Sequence, residues 1–440
     1  MSFILLGILN SQAIASVSYW LAALGDSGFD QANSVVIDST GNAILSGSTQ
    51  SGGAGGTDAL FASFDGAGAV QWQRSLGGSG TDQSQSTALD SSNNFYATGI
   101  QNSEGAGGFE VLIAKYNSSG TIQWQRTLGG SGDDRAESIA IDSSDNLYVV
   151  GQNDLGSTIN ALISKYNSSG TIQWQRSLGG VGTEKANGVV IDSSDNVYVT
   201  GRQTSEGEGN SDFFIAKYNS SGTLEWQRML GGTGFDAGNS VATNSSGDVF
   251  ITGFTLSEGQ GSADVLLVKY NSSGTLQWQR ILGGTDNDRG YSISLDSSGN
   301  IYLAGINASE GEGAEDALLA KYDSSGTIQW QRTLGGVGFD AANSVKIDSR
   351  GDLYFAGYLR ITADSTSDVL LAKLPSDGSL TGSYTINGES VVYAASTLTA
   401  ATSTLTSATS TLTAATSTLT SATSTLTDST SSFSSYLVEL

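Results

Sequence analysis

Residues 137–176 read ESIAIDSSDNLYVVGQNDLGSTINALISKYNSSGTIQWQR, and this stretch decides the fold. It contains four short runs rich in β-branched and aromatic residues, separated by clusters of Ser, Asn, Asp and Gly. The connections at 143–145 and 167–170 are short and consist of turn-forming residues, which is typical of β-hairpins. In the last run, Trp174 and Arg176 fall on one face of a strand and the Gln between them falls on the other. The stretch therefore predicts four antiparallel strands.

The same pattern recurs along most of the chain. Successive Trp residues are 52, 52, 50, 52, 52 and 52 positions apart. They are Trp20, Trp72, Trp124, Trp174, Trp226, Trp278 and Trp330. A four-stranded unit of this size cannot bury its own faces, so such units stack radially and close into a ring. The sequence predicts an all-β fold, a seven-bladed β-propeller of four-stranded blades, with the Trp side chains packed as structural residues between neighbouring blades.

The two ends of the repeat predict how the ring closes. The Trp motif first appears at residues 17–22, before the first complete unit, while the last unit has no Trp in its own fourth strand. We expect residues 17–23 to complete the seventh blade beside residues 368–374, which gives a propeller domain of 17–378. Residues 1–16 are expected to form a retained apolar tip or anchor, with a signal peptide as the alternative interpretation.

The inter-blade loop carries an acidic residue at the same repeat position in all seven units. These residues are Asp30, Asp82, Asp134, Glu184, Asp236, Asp288 and Asp340. As a binding site, such a ring of carboxylates would collect Ca²⁺ or a polyhydroxylated ligand through oxygen contacts. As a structural feature, each carboxylate would accept backbone N–H bonds in a Gly-rich turn. We favour the structural interpretation, because a repeated turn requires the same residue in every blade. We expect no cofactor, with Ca²⁺ as the alternative.

Composition excludes several functional classes. The chain has no His and no Cys, which excludes Ser-His-Asp and Cys-His nucleophiles, His or Cys zinc sites, and disulfides. There are 43 acidic and 19 basic residues, and the formal net charge of −24 argues against nucleic acid as a partner. The longest apolar run, residues 3–9, is far shorter than the roughly 20 residues of a membrane-spanning helix. We expect no nucleic-acid partner, no membrane span and no catalytic residues.

The C-terminal part departs from the blade pattern. Residues 379–395 contain Asn387-Gly388 between two β-like runs, which predicts a hairpin linker. Within the tail of residues 396–440, residues 396–430 read Ser-Thr-Leu-Thr-Ala-Ala-Thr and close variants five times, with Leu seven positions apart. The Leu residues are Leu398, Leu405, Leu412, Leu419 and Leu426. Leu and Ala at a and d positions predict an oligomerising helical stalk, a coiled coil. Because Thr is a poor helix former, a Thr-rich β-fibre and a flexible Ser/Thr tract remain alternatives.

Two stretches resemble known families. Asp142-Ser-Ser-Asp-Asn-Leu-Tyr-Val-Val-Gly151 and Leu318-Leu-Ala-Lys-Tyr-Asp-Ser-Ser-Gly326 resemble the SBBP repeat family, and the resemblance extends over residues 17–374. It implies a seven-bladed β-propeller and little about function, since propellers serve many functions. Residues 1–10, MSFILLGILN, resemble the starts of some virion proteins of marine phages. That resemblance implies a virion setting.

Together these features predict a non-enzymatic virion protein, a phage tail fibre or capsid-attached protein. Its partners would be other virion proteins or further copies of itself through the tail, and a glycan or protein of the host surface. The alternatives are a bacterial cell-surface or secreted adhesion propeller, and a carbohydrate-active enzyme that works with carboxylates.

Overall fold

The computed structural model describes residues 19–105, 107–360, 366–415, 420–424, 426–431 and 433–440. Every regular element in these residues is a β-strand, and the strands form seven sheets arranged as the blades of a propeller. The predicted apolar tip at 1–16 lies outside the described residues. The fold is an all-β, seven-bladed propeller, as the Trp repeat predicts.

The first strand of the chain is separated from the blade that it joins. This strand is β1 (Trp20–Gly25). Blade 1 contains β2 (Asp30–Ile37), β3 (Ala43–Thr49), β4 (Asp58–Phe64) and β5 (Val70–Gly77). Blade 2 contains β6 (Asp82–Leu89), β7 (Phe95–Gln101), β8 (Glu110–Tyr116) and β9 (Ile122–Gly129). Blade 3 contains β10 (Arg135–Ile141), β11 (Leu147–Asp154), β12 (Ile159–Tyr166) and β13 (Ile172–Gly179).

The remaining blades repeat this order. Blade 4 contains β14 (Glu184–Ile191), β15 (Val197–Gln203), β16 (Asp212–Tyr218) and β17 (Leu224–Gly231). Blade 5 contains β18 (Asp236–Thr243), β19 (Val249–Thr255), β20 (Asp264–Tyr270) and β21 (Leu276–Gly283). Blade 6 contains β22 (Asp288–Leu295), β23 (Ile301–Asn307), β24 (Asp316–Tyr322) and β25 (Ile328–Gly335). Blade 7 contains β26 (Ala341–Ile347), β27 (Asp352–Leu359) and β28 (Asp368–Pro375), followed in space by β1.

The ring closes through β1, which lies antiparallel to β28. Trp20 is opposite Lys373 and Leu24 is opposite Val369. All six residues of β1 are buried, because the strand is covered on both faces by neighbouring blades. The first strands of the blades line the central channel. The hairpins between first and second strands, and between third and fourth strands, point to one face, here called the hairpin face. The inter-blade loops and the second-to-third loops form the opposite face, here called the loop face.

The fourth strand of each blade contacts the next blade through side chains of the Trp motif. Trp72 Nε1 donates to Ser118 O at 3.3 Å, and Arg74 Nε donates to Gly120 O at 2.9 Å. Gly120 has φ +72° and packs against the Trp72 ring, so a Cβ there would lie 2.7 Å from Trp72 Cδ2. The turn Asn-Ser-Ser-Gly therefore serves two purposes, since it reverses the chain and receives the Trp and Arg of the preceding blade.

The C-terminal tail forms further strands on the outer edges of the blades. They are β29 (Gly382–Ile386), β30 (Glu389–Ala395), β31 (Thr399–Thr402), β32 (Thr406–Thr409), β33 (Thr413–Ala415), β34 (Thr420–Thr423), β35 (Thr427–Thr430) and β36 (Ser434–Glu439). β29 and β30 form the predicted hairpin, but β30 pairs with β25, so the hairpin belongs to blade 6 and is not a free linker. The strands β31 to β35 then pair with the fourth strands of blades 5, 4, 3, 2 and 1 in turn. β36 ends the circuit on blade 7, antiparallel to β1.

We call residues 396–440 the belt, because they run around the ring in the direction opposite to the blades. The helical stalk predicted for these residues is wrong over the part that the structure describes, which contains strands and no helix. The seven-residue spacing of the Leu residues reflects the distance from one blade edge to the next, and not a coiled-coil heptad. Seven extended residues reach about 23 Å, and each repeat pairs three or four residues with one blade before it crosses to the next. In a continuous strand, an odd period would place successive Leu residues on alternate faces. Because the strand pairing restarts at every blade, this alternation does not arise.

The belt leucines fill the grooves between blades. Leu398, Leu405, Leu412 and Leu426 are buried, each within the apolar cluster of one blade junction. The sequence analysis assigned these residues to an oligomerisation seam, whereas the structure places them against their own ring. Leu419, the fifth of that set, lies outside the described residues. Because the grooves between blades bury these Leu side chains, the belt needs no partner helix. The β-branched Thr residues favour the extended conformation.

Side chains of the blades fasten the belt. Gln279 Nε2 donates to Leu405 O at 2.9 Å, and Gln227 Nε2 donates to Leu412 O at 2.9 Å. The Glu of three Ser-Glu-Gly loops accepts from the Thr that precedes Leu398, Leu405 and Leu412. Glu258 accepts from Thr404 N and Oγ1, and the carboxylate of Glu206 does the same with Thr411. The belt also covers the exposed edges of the fourth strands, which would otherwise offer unpaired backbone groups to other chains.

Candidate functional site

The seven acids predicted as an acidic ring lie at the starts of the first strands or next to them, and all are buried. Asp288 shows the shared pattern. It accepts from Gly284 N at 2.7 Å, from Ala308 N at 3.1 Å and from Ser309 Oγ at 2.7 Å. One carboxylate thus joins the inter-blade loop, its own strand and the second-to-third loop of its blade. This arrangement supports the structural interpretation of the ring.

A second carboxylate faces the first across most blade junctions. These residues begin or nearly begin the third strands and are Asp58, Glu110, Asp212, Asp264, Asp316 and Asp368, with Asn160 at the same position in blade 3. Burial, followed by the charge of Asp236, raises the pKa of Asp212 to about 7. Burial, followed by the charge of Asp340, raises the pKa of Asp316 to about 7, and burial raises the pKa of Asp340 itself to about 6. Burial thus disfavours the charged form of these three carboxyl groups.

The repeated Trp residues lie in the apolar packing between blades. Trp20 is fully buried, and the Trp residues of later blades pack partly buried against clusters that belong to two neighbouring blades. Within the described ranges, no group of three or more acidic side chains is placed to hold a metal ion. In the same part of the chain, no helix is long and apolar enough to cross a membrane.

The central channel is lined by one polar residue from each first strand. We call this set the channel ring: Asn33, Gln85, Glu137, Asn187, Asn239, Tyr291 and Asn343. Each of the four Asn residues donates its side-chain amide to a backbone carbonyl of the following blade, at 2.8 to 3.0 Å. The Asn residues therefore stabilise ring closure. Glu137 and Tyr291 depart from this pattern and give two blades a different chemistry at the same level of the channel.

The mouth of the channel on the loop face is a cavity of about 550 Å³. All seven members of the channel ring line it, together with Lys185, Arg202 and Tyr358. Twelve of the 19 basic residues of the chain occupy the repeated Lys and Trp-x-Arg positions of the scaffold. Five of the other seven lie at the loop-face ends of the inner strands. They are Arg135, Lys185, Arg202, Arg289 and Arg360.

Several of these cations stack on aromatic rings of the loop face. The Arg135 guanidinium lies 4.3 Å from the centroid of Phe109, and Arg289 lies 4.5 Å from that of Phe254. Five large apolar side chains are also exposed in the loops of this face, Leu155, Val181, Leu256, Val337 and Phe339. In a chain of net charge −24, a basic and aromatic channel mouth is a local exception. It marks the loop face as the candidate binding surface.

None of the residues predicted as binding residues lines this mouth, because those residues recur in every blade. The signal was present in residues that interrupt the repeat, such as Lys185 in β14, whose counterparts in the other six blades are Gln31, Gln83, Arg135, Ala237, Arg289 and Ala341. Register within the blade then brings Lys185 opposite Arg202. The sequence spacing alone does not reveal that pairing.

Comparisons with known proteins agree with the fold. The family described as SBBP, Beta-propeller repeat, matches residues 123–152 and 277–305. A second β-propeller family, a domain of unknown function, matches residues 193–225. The regulatory protein FlaEY of Caulobacter vibrioides is 32% identical over 130 residues, which is 27% of this chain and 13% of that protein. The chain therefore spans only a small part of the length of this relative.

Solved structures with similar architecture are distant in sequence. Virginiamycin B lyase from Staphylococcus aureus is 12% identical, with a TM-score of 0.45 over 80% of this chain and 99% of the other. The polysaccharide lyase Uly1 is 9% identical, with a TM-score of 0.47 over 80% and 91% of the two chains. The chain is therefore a seven-bladed β-propeller, two stretches of which match the SBBP family of β-propeller repeats.

Proposed function

We propose that this protein is a non-enzymatic structural component of a phage virion, a tail fibre or capsid-attached protein. In this role the rigid propeller serves assembly or host-surface binding. The observation that carries the proposal is the belt. In the described part of residues 396–440 the chain covers blade edges, and β36 and β1 bring the two ends of the described chain together on blade 7. Such fastening suits a particle component that must remain folded outside the cell.

The repeated side chains support a scaffold role. The seven inter-blade acids, the Trp-x-Arg pairs and the channel amides bind the backbone of their own ring. The belt occupies the outer edges, so the proposal assigns contacts with other proteins or with a host glycan to the loop face. The resemblance of residues 1–10 to virion proteins supports a phage setting. A bacterial cell-surface or secreted adhesion propeller is the second candidate, favoured by the same exposed loop face.

The test is mass spectrometry of virions purified from an infected culture, beside the particle-free fraction of the same lysate. We expect peptides of this chain to be enriched with the major capsid protein. Recovery only in host envelope or secreted fractions would favour the adhesion propeller. A panel of polysaccharides scored for both retention and cleavage addresses the third candidate, a carbohydrate-active enzyme. We expect retention without products, and turnover would overturn the non-enzymatic assignment.

A further inference from the structure

Blade 4 has a charge arrangement that the other blades lack. Lys185 in β14 is directly opposite Arg202 in β15, and both side chains are half-buried at the channel mouth. Like charges directly opposite each other in an antiparallel pair are destabilising. Burial and the neighbouring Arg202 lower the pKa of Lys185, which shows the same repulsion. Among the residues that the structure describes, the charged end of neither side chain forms an ion pair or a hydrogen bond, although the Arg202 guanidinium lies 5.1 Å from the centroid of the Phe235 ring.

The fold does not require this pair. The equivalent cross-strand pairs in the other blades contain at most one charge: Gln31 with Ser48, Gln83 with Ile100, Arg135 with Gln152, Ala237 with Phe254, Arg289 with Ile306, and Ala341 with Tyr358. A neutral pair would therefore fit the scaffold at least as well. Sites of function are often where a protein keeps a locally unfavourable arrangement. An anion placed between the two cations would turn their repulsion into a shared attraction.

The rest of the mouth provides contacts for hydroxyl groups. Glu137 lies on the neighbouring blade, and although burial raises the pKa of its side chain, a carboxyl group in either protonation state can accept a hydrogen bond from a sugar hydroxyl. Tyr291 and Tyr358 come from blades 6 and 7 and present aromatic rings with hydroxyl groups across the opening. The cavity of about 550 Å³ has the size of a small-ligand site. The combination favours a ligand that bears both an anionic group and several hydroxyls.

We propose that the loop-face mouth of the channel binds an acidic saccharide, with its anionic group between Lys185 and Arg202. The opposite wall, Tyr291 and Tyr358, contacts the sugar ring. This inference deepens the proposed function and rests on it for the source of the ligand, a glycan at the host surface. It concerns binding only, and no bond of the ligand is broken.

The test measures binding to the full-length protein by calorimetry with three probes: glucuronate, inorganic sulfate and neutral glucose. We expect saturable binding of glucuronate that weakens as salt is raised, and much weaker binding of glucose. The double variant Lys185→Gln, Arg202→Gln should lose at least about tenfold in affinity. The matched control is Arg350→Gln, which removes a non-repeated exposed Arg from the hairpin face and should leave binding unchanged.

Thermal melting separates a binding role from a structural one. The single variant Lys185→Gln removes the repulsion but keeps the contact of Arg202 with Phe235, so it should melt at the same temperature as the unmodified protein or higher. A loss of stability would show that the pair supports the fold, which would contradict the proposal. Equal affinity for glucose and glucuronate, or no saturation by glucuronate up to about 10 mM, would overturn it as well. Tighter binding of sulfate than of glucuronate would show an anion site without saccharide recognition, which also contradicts it.

The outcomes also distinguish this inference from the proposed function. Absence of binding defeats the acidic-saccharide site but leaves a structural virion role intact. Binding followed by cleavage of a longer acidic glycan keeps the site and defeats the non-enzymatic assignment. Binding by a protein that is found only in host envelope fractions keeps the site and favours the adhesion propeller.

Discussion

Asp288 holds three backbone segments together through one carboxylate. Gly284 N, Ala308 N and Ser309 Oγ all donate to it, and it is buried at the junction of blades 5 and 6. Buried donors that lose their acceptor cost about 1–3 kcal/mol each. The repeated acids therefore contribute to stability at every junction, which explains why the position is acidic in all seven blades.

Replacement of this carboxylate should be costly. We expect Asp288→Ala to lower the free energy of unfolding by about 3 kcal/mol, because it leaves buried N–H donors without an acceptor. Asp286→Ala, an exposed acid of the same loop, is the matched control and should change it by less than about 0.5 kcal/mol. Urea denaturation of the two variants checks the prediction. Equal midpoints would show that the carboxylate does not brace the turn.

The third-strand acids predict a dependence of stability on pH. The pKa of Asp212 and of Asp316 is raised to about 7 in the folded state, against 3.8 for the ordinary side chain. The folded state therefore binds more protons than the unfolded state between these values, so stability falls as pH rises from about 4 to about 7. Below about pH 4 the hairpin acids such as Asp142, whose pKa is lowered, act in the opposite direction.

Melting temperatures between pH 4.5 and pH 8 test this dependence. We expect the melting temperature to decrease across that range. The variant Asp212→Asn should reduce the slope, because Asn160 already occupies the same position in blade 3 and an amide does not titrate. A melting temperature that rises steadily with pH would contradict the predicted direction.

At the scale of elements, the belt shows what the sequence could and could not predict. The Trp repeat predicted the blades, because each four-stranded unit is a local pattern that needs neighbours on both sides. The Leu spacing of seven was equally regular, but period alone does not reveal which surface receives the side chains. The grooves between blades exist only after the ring has closed. Leu405 packs into an apolar cluster formed by blade residues, so residues 396–440 alone do not identify its contacts.

A single belt leucine tests the groove. Leu405→Ala should weaken the attachment of the neighbouring belt strands by about 2–3 kcal/mol, because it removes buried methyl groups and leaves a cavity. Thr406→Ala changes an exposed belt residue and is the control. Limited proteolysis around residues 399–415 should accelerate in the first variant and remain slow in the second. Equal cleavage rates in both would show that the leucine does not anchor the belt.

The residues of the channel mouth are present in the sequence as interruptions of the repeat. The predicted binding residues were instead the ones that recur in every blade. Lys185 and Arg202 are 17 positions apart, and only the pairing of β14 with β15 places them side by side. Departures from a repeat are therefore better candidates for function in such a protein than the repeated residues, which the scaffold already uses.

At the scale of the whole molecule, both ends of the described chain meet on blade 7. β1 lies between β28 and β36, and Leu440 N donates to Tyr19 O at 2.9 Å. The ring is therefore closed twice, once by the N-terminal strand and once by the last belt strand. Removal of either closure exposes the edge of a sheet.

The N-terminal closure can be removed by truncation. A chain that begins at Gly25 lacks most of β1, and we expect it to aggregate or to lose much of its thermal stability because the edge of β28 becomes free. A chain that begins at Tyr19 keeps β1 and serves as the control. Light scattering and thermal melting compare the two. A monomeric Gly25 chain with an unchanged melting temperature would show that blade 7 does not depend on β1.

Hydrogen exchange of residues 396–440 in the intact protein tests whether the belt lies on the blades. We expect a monomer in which the amides of β31, β32 and β33 exchange slowly, since they pair with blades 5, 4 and 3. Protection should be the same at low and high protein concentration. Amides that exchange at the rate of an unfolded chain, or that become protected only when several copies associate, would contradict the belt and favour a separate stalk.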